Sequence, residues 1–406
     1  MTIDQSLNEC TGGVTAALGF TAGGIYAGIR KAKKDIALIH SEKPATVAGV
    51  FTQNKTQAAC IVVDKLQLQK SSTCSAVIIN SGNANACTGE RGFNDAWSMI
   101  DTTAAALNVP REQVLVSSTG VIGQYLPMDK IIPGIQQLTG QLSRENNYNA
   151  ADAILTTDTF TKETAVRFSL GSSVITIGGM AKGSGMIAPN MATMLAFVTT
   201  DAVIAQPLLA KALRQANSKS FNRITVDGDM STNDMVLILA NGEAGNKAIK
   251  DHTEEYQLFA AALEYVLIKL AKMIARDGEG ATKLVEILVT GAKSEDDAVQ
   301  AAKAVANSNL VKTAIHGSDA NWGRILAAVG YSGVDFSPDM VEISFDEVQV
   351  LKKNYEIVLD EEKAKAALSK DCVVVTIDLN QGNANARVWT CDLTKEYVHI
   401  NASYRS

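Results

Sequence analysis

Ten short runs rich in β-branched and other apolar residues recur along the 406-residue chain, and each is bounded by Gly, Asn, Asp or Ser. They cover residues 36–39, 47–51, 76–79, 114–116, 174–177, 194–198, 235–239, 284–289, 341–345 and 373–377. Helical signals are fewer and unevenly placed. Pro207 suits the first turn of a helix running on to Ala216. Residues 256–276 carry apolar stripes at helical spacing, with Gly278 placed to end them. Ser294, followed by acids, begins another helix, and residues 361–368 form a shorter one. Strands and helices do not alternate. That pattern disfavours a doubly wound parallel sheet and predicts an α/β fold, a layered sandwich of largely antiparallel sheets flanked by helices.

Charge and hydropathy narrow the function classes. The net charge of −6 argues against a nucleic-acid surface, and the one dense basic run, residues 30–34, is short enough to be a solvated face. No apolar run approaches the roughly 18 residues that would span a membrane. The first ten residues, MTIDQSLNEC, are polar and carry acids, unlike a signal or transit peptide. A cytoplasmic protein with no nucleic-acid or membrane partner is expected. Six cysteines are scattered without metal-like spacing. Cys60 and Cys74 adjoin apolar runs and Cys372 opens one, so buried, reduced thiols are expected.

The segment KGSGMIAPNMATMLAFVTTD, residues 182–201, holds the most suggestive chemistry. Thr193 stands between Ala192 and an apolar strand-like run. Its hydroxyl could attack the preceding carbonyl, split the chain and free an α-amine. An α-amine has a pKa of about 7.7–8.0, well suited to act as a base at neutral pH. On spacing alone the pattern is weak, and an ordinary Ala-Thr step before a buried strand is the better fit. Only four histidines are present, none in a Ser-His-Asp or HExxH context, which leaves a terminal amine as the base for acyl transfer. Residues 183–188 fit GxGxxA, but Pro189 falls where the required helix would run, so nucleotide binding is rejected. Residues 227–234 imitate a calcium loop without its sixth-position Gly or twelfth-position Glu, and read instead as a turn dense in side-chain hydrogen bonds. The pentapeptide GNANA occurs twice, at 82–86 and 382–386; the second reads as a Gly/Asn turn, and the first is also compatible with a site.

Several segments together resemble the ornithine acetyltransferase (glutamate N-acetyltransferase) family: NSGNANACTG from Asn80, VSSTGVIG from Val116, GMAKGSGMIAPNMATMLAFVTTD, SFNRITVDGDMSTND from Ser220, ARDGEGATK from Ala275, KTAIHGSDANWGR from Lys312 and INASYRS from Ile400. They are spread over nearly the whole chain, in family order. The resemblance implies a sandwich with a smaller α/β domain, here within residues 280–390. It implies self-cleavage at Ala192-Thr193 into an alpha chain, 1–192, and a beta chain, 193–406, assembled as two of each. Thr193 would be the nucleophile and Thr119-Gly120 the oxyanion hole. Thr156, Lys182, Thr193, Glu279, Asn401 and Ser406 would hold substrate. Residues 312–324 look like a loop that closes on the site.

The implied reaction moves acetyl from N²-acetyl-L-ornithine to L-glutamate through an acetyl-threonine, in cyclic arginine biosynthesis. No metal or bound cofactor is implied, and acetyl-CoA as a further co-substrate is left open. Read without the family, Thr156 is also a turn hydroxyl, Lys182 a surface lysine, Glu279 a solvated acid, and Asn401 and Ser406 a frayed tail. A self-processing aminopeptidase or amidase with the same nucleophile is the alternative enzyme. A non-enzymatic amino-acid-binding protein would leave the 182–201 segment unexplained.

Overall fold

The computed structural model describes residues 7–188 and 194–403. Ala192, Thr193 and Ser406 therefore lie outside the described residues. The chain divides into two compact units, Met1–Gly183, Pro189–Asn222 and Met230–Leu270 on one side and Ser184–Ala188, Arg223–Asp229 and Ala271–Ser406 on the other.

The first unit is built on a nine-stranded sheet. Its strands are β1 (Asn8–Cys10), β2 (Phe20–Ile25), β3 (Ile36–Phe51), β4 (Thr73–Asn83), β5 (Val114–Val121), β6 (Lys162–Leu170), β7 (Ser173–Lys182), β8 (Leu195–Thr200) and β9 (Met235–Ala240). They lie in the order β1-β6-β7-β8-β9-β3-β4-β5, with β2 pairing β3 beside that path. Only β4–β5 and β8–β9 are parallel here. Each needs a helical crossover, supplied by α2 (Gly89–Leu107) and α5 (Gln206–Ser218), whereas α1 (Ala59–Lys70) joins β3 to β4. Every residue of β8 and β9 is buried, as befits central strands covered on both faces. Two expected runs, 36–39 and 47–51, merge into the 16-residue β3. The polar stretch between them stays extended, and its pairing with β4 shifts register between His40 and Ala45, around Pro44, which cannot donate to a ladder. Helices α3 (Met128–Thr139) and α4 (Asn147–Ala153) complete the cover of this half of the sheet.

The second unit holds a six-stranded sheet of β10 (Leu284–Ala292), β11 (Glu342–Phe345), β12 (Val348–Lys352), β13 (Glu356–Ile357), β14 (Cys372–Asp378) and β15 (Ala384–Cys391), in the order β13-β12-β11-β14-β10-β15. Only β10–β14 is parallel. The helix α6 (Glu254–Arg276) precedes it. Gly278 follows α6 without the left-handed conformation of a capping glycine. Helix α7 (Glu295–Ala306) begins as its sequence demands: Ser294 Oγ accepts the Asp297 N–H, and three acids sit at the positive end of the dipole. Its Ala298, Ala301, Ala302 and Val305 are buried and the helix lies against β10 and β15. The helices α8 (Asn309–His316), α9 (Trp322–Gly330), α10 (Glu361–Leu368) and α11 (Lys395–Ala402) complete the unit.

Two expectations are corrected. Residues 312–324 are not a loop; they are the end of α8, a five-residue turn and the start of α9. Cys372 is exposed at the first position of β14, while Cys60, Cys74 and Cys391 are buried and reduced. β5 continues through both Thr119 and Gly120. Of the second GNANA, only Gly382 and Asn383 lie in the connection between β14 and β15, and Ala384-Asn385-Ala386 begin β15. Among the described residues, no helix is long and apolar enough to cross a membrane.

Candidate active site

In the first unit, the ends of three strands place the chemistry. Lys182 is the last residue of β7, and its register partner is Leu195, the first residue of β8. The lysine is 8% exposed, so it is no surface residue. Its Nζ stands 3.5 Å from Thr119 Oγ1 and 4.0 Å from Asp158 Oδ2. Gly120, next to Thr119, has φ +134°, and a Cβ there would lie 2.3 Å from the Gly82 carbonyl carbon. Only glycine fits where β5 meets the irregular register of β4 at Gly82 and Asn83.

A buried polar network underlies Thr119. Asn233 donates through Nδ2 to the carbonyls of Ala84 (2.6 Å) and Ser118 (2.8 Å). Asn80 donates to Asn83 O and accepts from Ser118 Oγ. Asn85, left-handed and fully buried, takes the Thr88 hydroxyl and donates to Gly92 O. The first GNANA thus becomes a scaffold for the Ser118-Thr119-Gly120 backbone.

Thr156 follows α4. Its carbonyl accepts from Arg30 Nη2 at 3.1 Å, and its N–H and hydroxyl point to Asp158 Oδ2 at 3.0 and 3.5 Å. Asp158 Oδ1 accepts from Lys162 Nζ and from the Gly183 N–H, each at 2.7 Å. Burial alone would raise the Asp158 pKa. The ammoniums of Lys162 and Lys182, with hydrogen bonds from Lys162 and the Thr156 N–H, outweigh it and hold the carboxyl far below the usual carboxylate range.

The second unit brings together Glu279 and Asn401. Glu279 is 7% exposed, which rules out a solvated loop acid. Its N–H donates to Ser184 O, and its Oε2 accepts from Asn401 Nδ2 at 2.7 Å. A Cβ on Gly185 would lie 2.4 Å from this carboxylate, so the glycine makes room for the acid. Asn401 sits on α11, which is capped by Thr394 and tied to the 278–281 turn through Thr394 Oγ1 to Gly280 O. The chain is therefore helical through Ala402 rather than frayed there. Nearby, Asp227 accepts from the N–H groups of Met186, Ile187 and Asp229 and from the Tyr397 hydroxyl, the dense turn expected of residues 227–234. Burial, then the Asp227 charge, pushes the Tyr397 phenol well above its usual range.

Thr119, Gly120, Lys182 and, through Asp158, Thr156 thus form one cluster, and Glu279 with Asn401 a second, in the other unit. Asp158, Lys162 and Asn233 were absent from the sequence reading. The Asp158–Lys162 spacing carries no metal-like or triad-like pattern, and both reach Lys182 only through the pairing of β6 with β7. In residues 312–324, Lys312 is buried and donates to Thr390 Oγ1 and Cys391 O, His316 Nδ1 meets Asp392 Oδ2 at 2.9 Å, and Asn321 caps α9. These are structural ties within the second unit.

Comparison with known proteins places the chain. The description of the ArgJ family matches residues 21–406. An arginine biosynthesis bifunctional protein ArgJ from Caldanaerobacter subterraneus subsp. tengcongensis is 52% identical over 392 residues, 96% of this chain and 97% of that one. One of the same name from Symbiobacterium thermophilum is 52% identical over 398 residues, 97% and 99% of the two chains. A crystal structure of an arginine biosynthesis bifunctional protein argJ from Bacillus halodurans is 47% identical, with a TM-score of 0.51, and covers 52% of this chain and 100% of its own. The chain belongs to the ArgJ family, the ornithine acetyltransferase (glutamate N-acetyltransferase) family whose signatures its sequence carries.

Proposed function

We propose that the chain cuts itself between Ala192 and Thr193 and then carries acetyl from N²-acetyl-L-ornithine to L-glutamate on the Thr193 hydroxyl. Thr193 Oγ adds to the acetamide carbonyl while its α-amine takes the hydroxyl proton. The C–N bond breaks, the proton passes to the departing ornithine nitrogen, and the acetyl remains as a threonine ester. The amine of glutamate then attacks that ester, N-acetyl-L-glutamate leaves, and the threonine hydroxyl is restored. Thr119 and the Gly120 N–H would stabilise each oxyanion. Thr156, Lys182, Glu279, Asn401 and Ser406 would hold the amino-acid substrates, a reading that rests on the resemblance. No bound cofactor takes part in this scheme.

The observation that carries the reading is the place of Lys182. The register puts the strand that follows Thr193 beside Lys182, whose ammonium stands 3.5 Å from the Thr119 hydroxyl. A second support comes from the Bacillus halodurans chain, which is matched end to end yet spans only 52% of this one, near the share that follows Ala192. The relatives' name, bifunctional, supports acetyl-CoA as a second acetyl donor. An assembly of two alpha and two beta chains working in the cytoplasm completes the proposal.

Intact mass of the purified protein tests the cut: two chains, 1–192 and 193–406, are expected, and Thr193→Ala yields one inactive chain. An active preparation that stays whole overturns it. Acetylornithine without glutamate, quenched in acid, should add about 42 Da, one acetyl in place of hydrogen, to the peptide beginning at Thr193. Activity with acetyl-CoA in place of acetylornithine tests the second donor.

A further inference from the structure

We propose that Asp158, clamped by Lys162, is the positioning residue for Lys182 and Thr156. The inference rests on the reading above, in which Lys182 meets the substrate.

The geometry divides the work of one carboxylate among four partners. Oδ1 takes the Lys162 ammonium and the Gly183 N–H, both at 2.7 Å. Oδ2 takes the Thr156 N–H and stands 4.0 Å from Lys182 Nζ. Lys162 is fully buried, the opposite of the usual fate of a lysine, and pairs across β6–β7 with Ala181, next to Lys182. A buried lysine is costly unless it is paired. Its position here is accounted for if Asp158 requires a permanent counter-ion other than Lys182. Asp158 is closed on Lys162, so Lys182 is oriented by it at longer range, with its ammonium toward Thr119. Without Lys162, Asp158 would draw Lys182 into a closed, neutral pair and away from the hydroxyl. The same carboxylate fixes Thr156 and the Gly183 backbone, so the strand end that precedes the nucleophile segment is set by one group.

The test uses the full-length, self-cleaved enzyme. Lys162→Met should raise KM for acetylornithine and for glutamate by about 10- to 100-fold, the worth of one charge-assisted interaction, with a smaller change in kcat. Lys162→Arg, which restores the charge, should recover most of the loss. Asp158→Glu keeps the charge but moves it by one methylene, and should raise KM by about tenfold in a protein that folds normally. A merely structural role would lower the amount of folded enzyme and leave KM, and kcat per acetylatable Thr193, unchanged. That result, or KM values near those of the parent for Asp158→Glu or Lys162→Met, overturns the inference. If the parent enzyme itself never acquires an acetyl group on Thr193, the proposed reaction fails instead, and the two failures are separable.

Discussion

Asp64 is the residue whose chemistry is most at odds with its surroundings. It lies on α1, fully buried, and its Oδ1 accepts the Val116 N–H at 2.9 Å while Oδ2 has no hydrogen-bond partner among the described residues. β5 ends the strand order, so Val116 sits on an edge whose outward N–H groups need a cover. Asp64 supplies one acceptor, and Gln67, one turn further along, donates to Val114 O. Burial raises the Asp64 pKa well above the carboxylate range, and the Val116 hydrogen bond lowers it less. The folded state thus prefers the neutral acid, whereas the unfolded chain ionises near pH 3.9. This group costs no stability below about pH 3.9, and the cost grows as pH rises from there toward the higher folded value. Asp64→Asn keeps an oxygen for Val116 and cannot ionise. Its Tm should exceed that of the parent by on the order of a few degrees at pH 8 and match it near pH 4. A difference that does not vary with pH would mean that Asp64 is already charged in the fold.

At the scale of elements, the parallel pair β4–β5 is the part that the candidate oxyanion site depends on. Asn233, in the segment before β9, holds it by donating to two carbonyls, one on each side of the pair. Asn233→Ala should lower stability by about 1–3 kcal/mol for each orphaned carbonyl, read from urea midpoints, and should lower kcat. Asn233→Asp places oxygens against those same carbonyls and should be worse than alanine; equal or better stability for Asp would show that the amide is dispensable. The strands most visible in the sequence, β8 and β9, are continuous apolar runs because both of their faces are covered. Strands such as β2, FTAGGI, and β6, KETAVRFSL, went unread, since glycines and charges hide a period that only their neighbours complete. The 312–324 stretch was misread for a related reason. Gly317, Ser318 and Asn321 signal a loop, yet Asn321 is spending its side chain on the Arg324 N–H to start α9. Thr119, Gly120, Lys182, Glu279 and Asn401 were named as candidates by the family signatures. Asp158 and Lys162 were not, because their meaning lies in which strand β6 pairs with.

At the scale of the whole molecule, family membership places the protein among the enzymes of arginine biosynthesis. The strand order then bears on what a cut after Ala192 would leave behind. Strands β1 to β7 precede that point and β8 and β9 follow it, but the sheet runs β7-β8-β9-β3. The second chain's two strands would be inserted between strands of the first, since β8 makes six register pairs to β7 on one flank and β9 six to β3 on the other. Chains produced separately as 1–192 and 193–406 should give no active enzyme on simple mixing after each has collapsed, and should regain activity when refolded together from denaturant; ready reconstitution by mixing would contradict this. The cleaved protein would behave like a seam sewn before the thread is snipped: the order of events, fold first and cut second, is written into the weave, and no dilution would part the pieces short of unravelling the cloth.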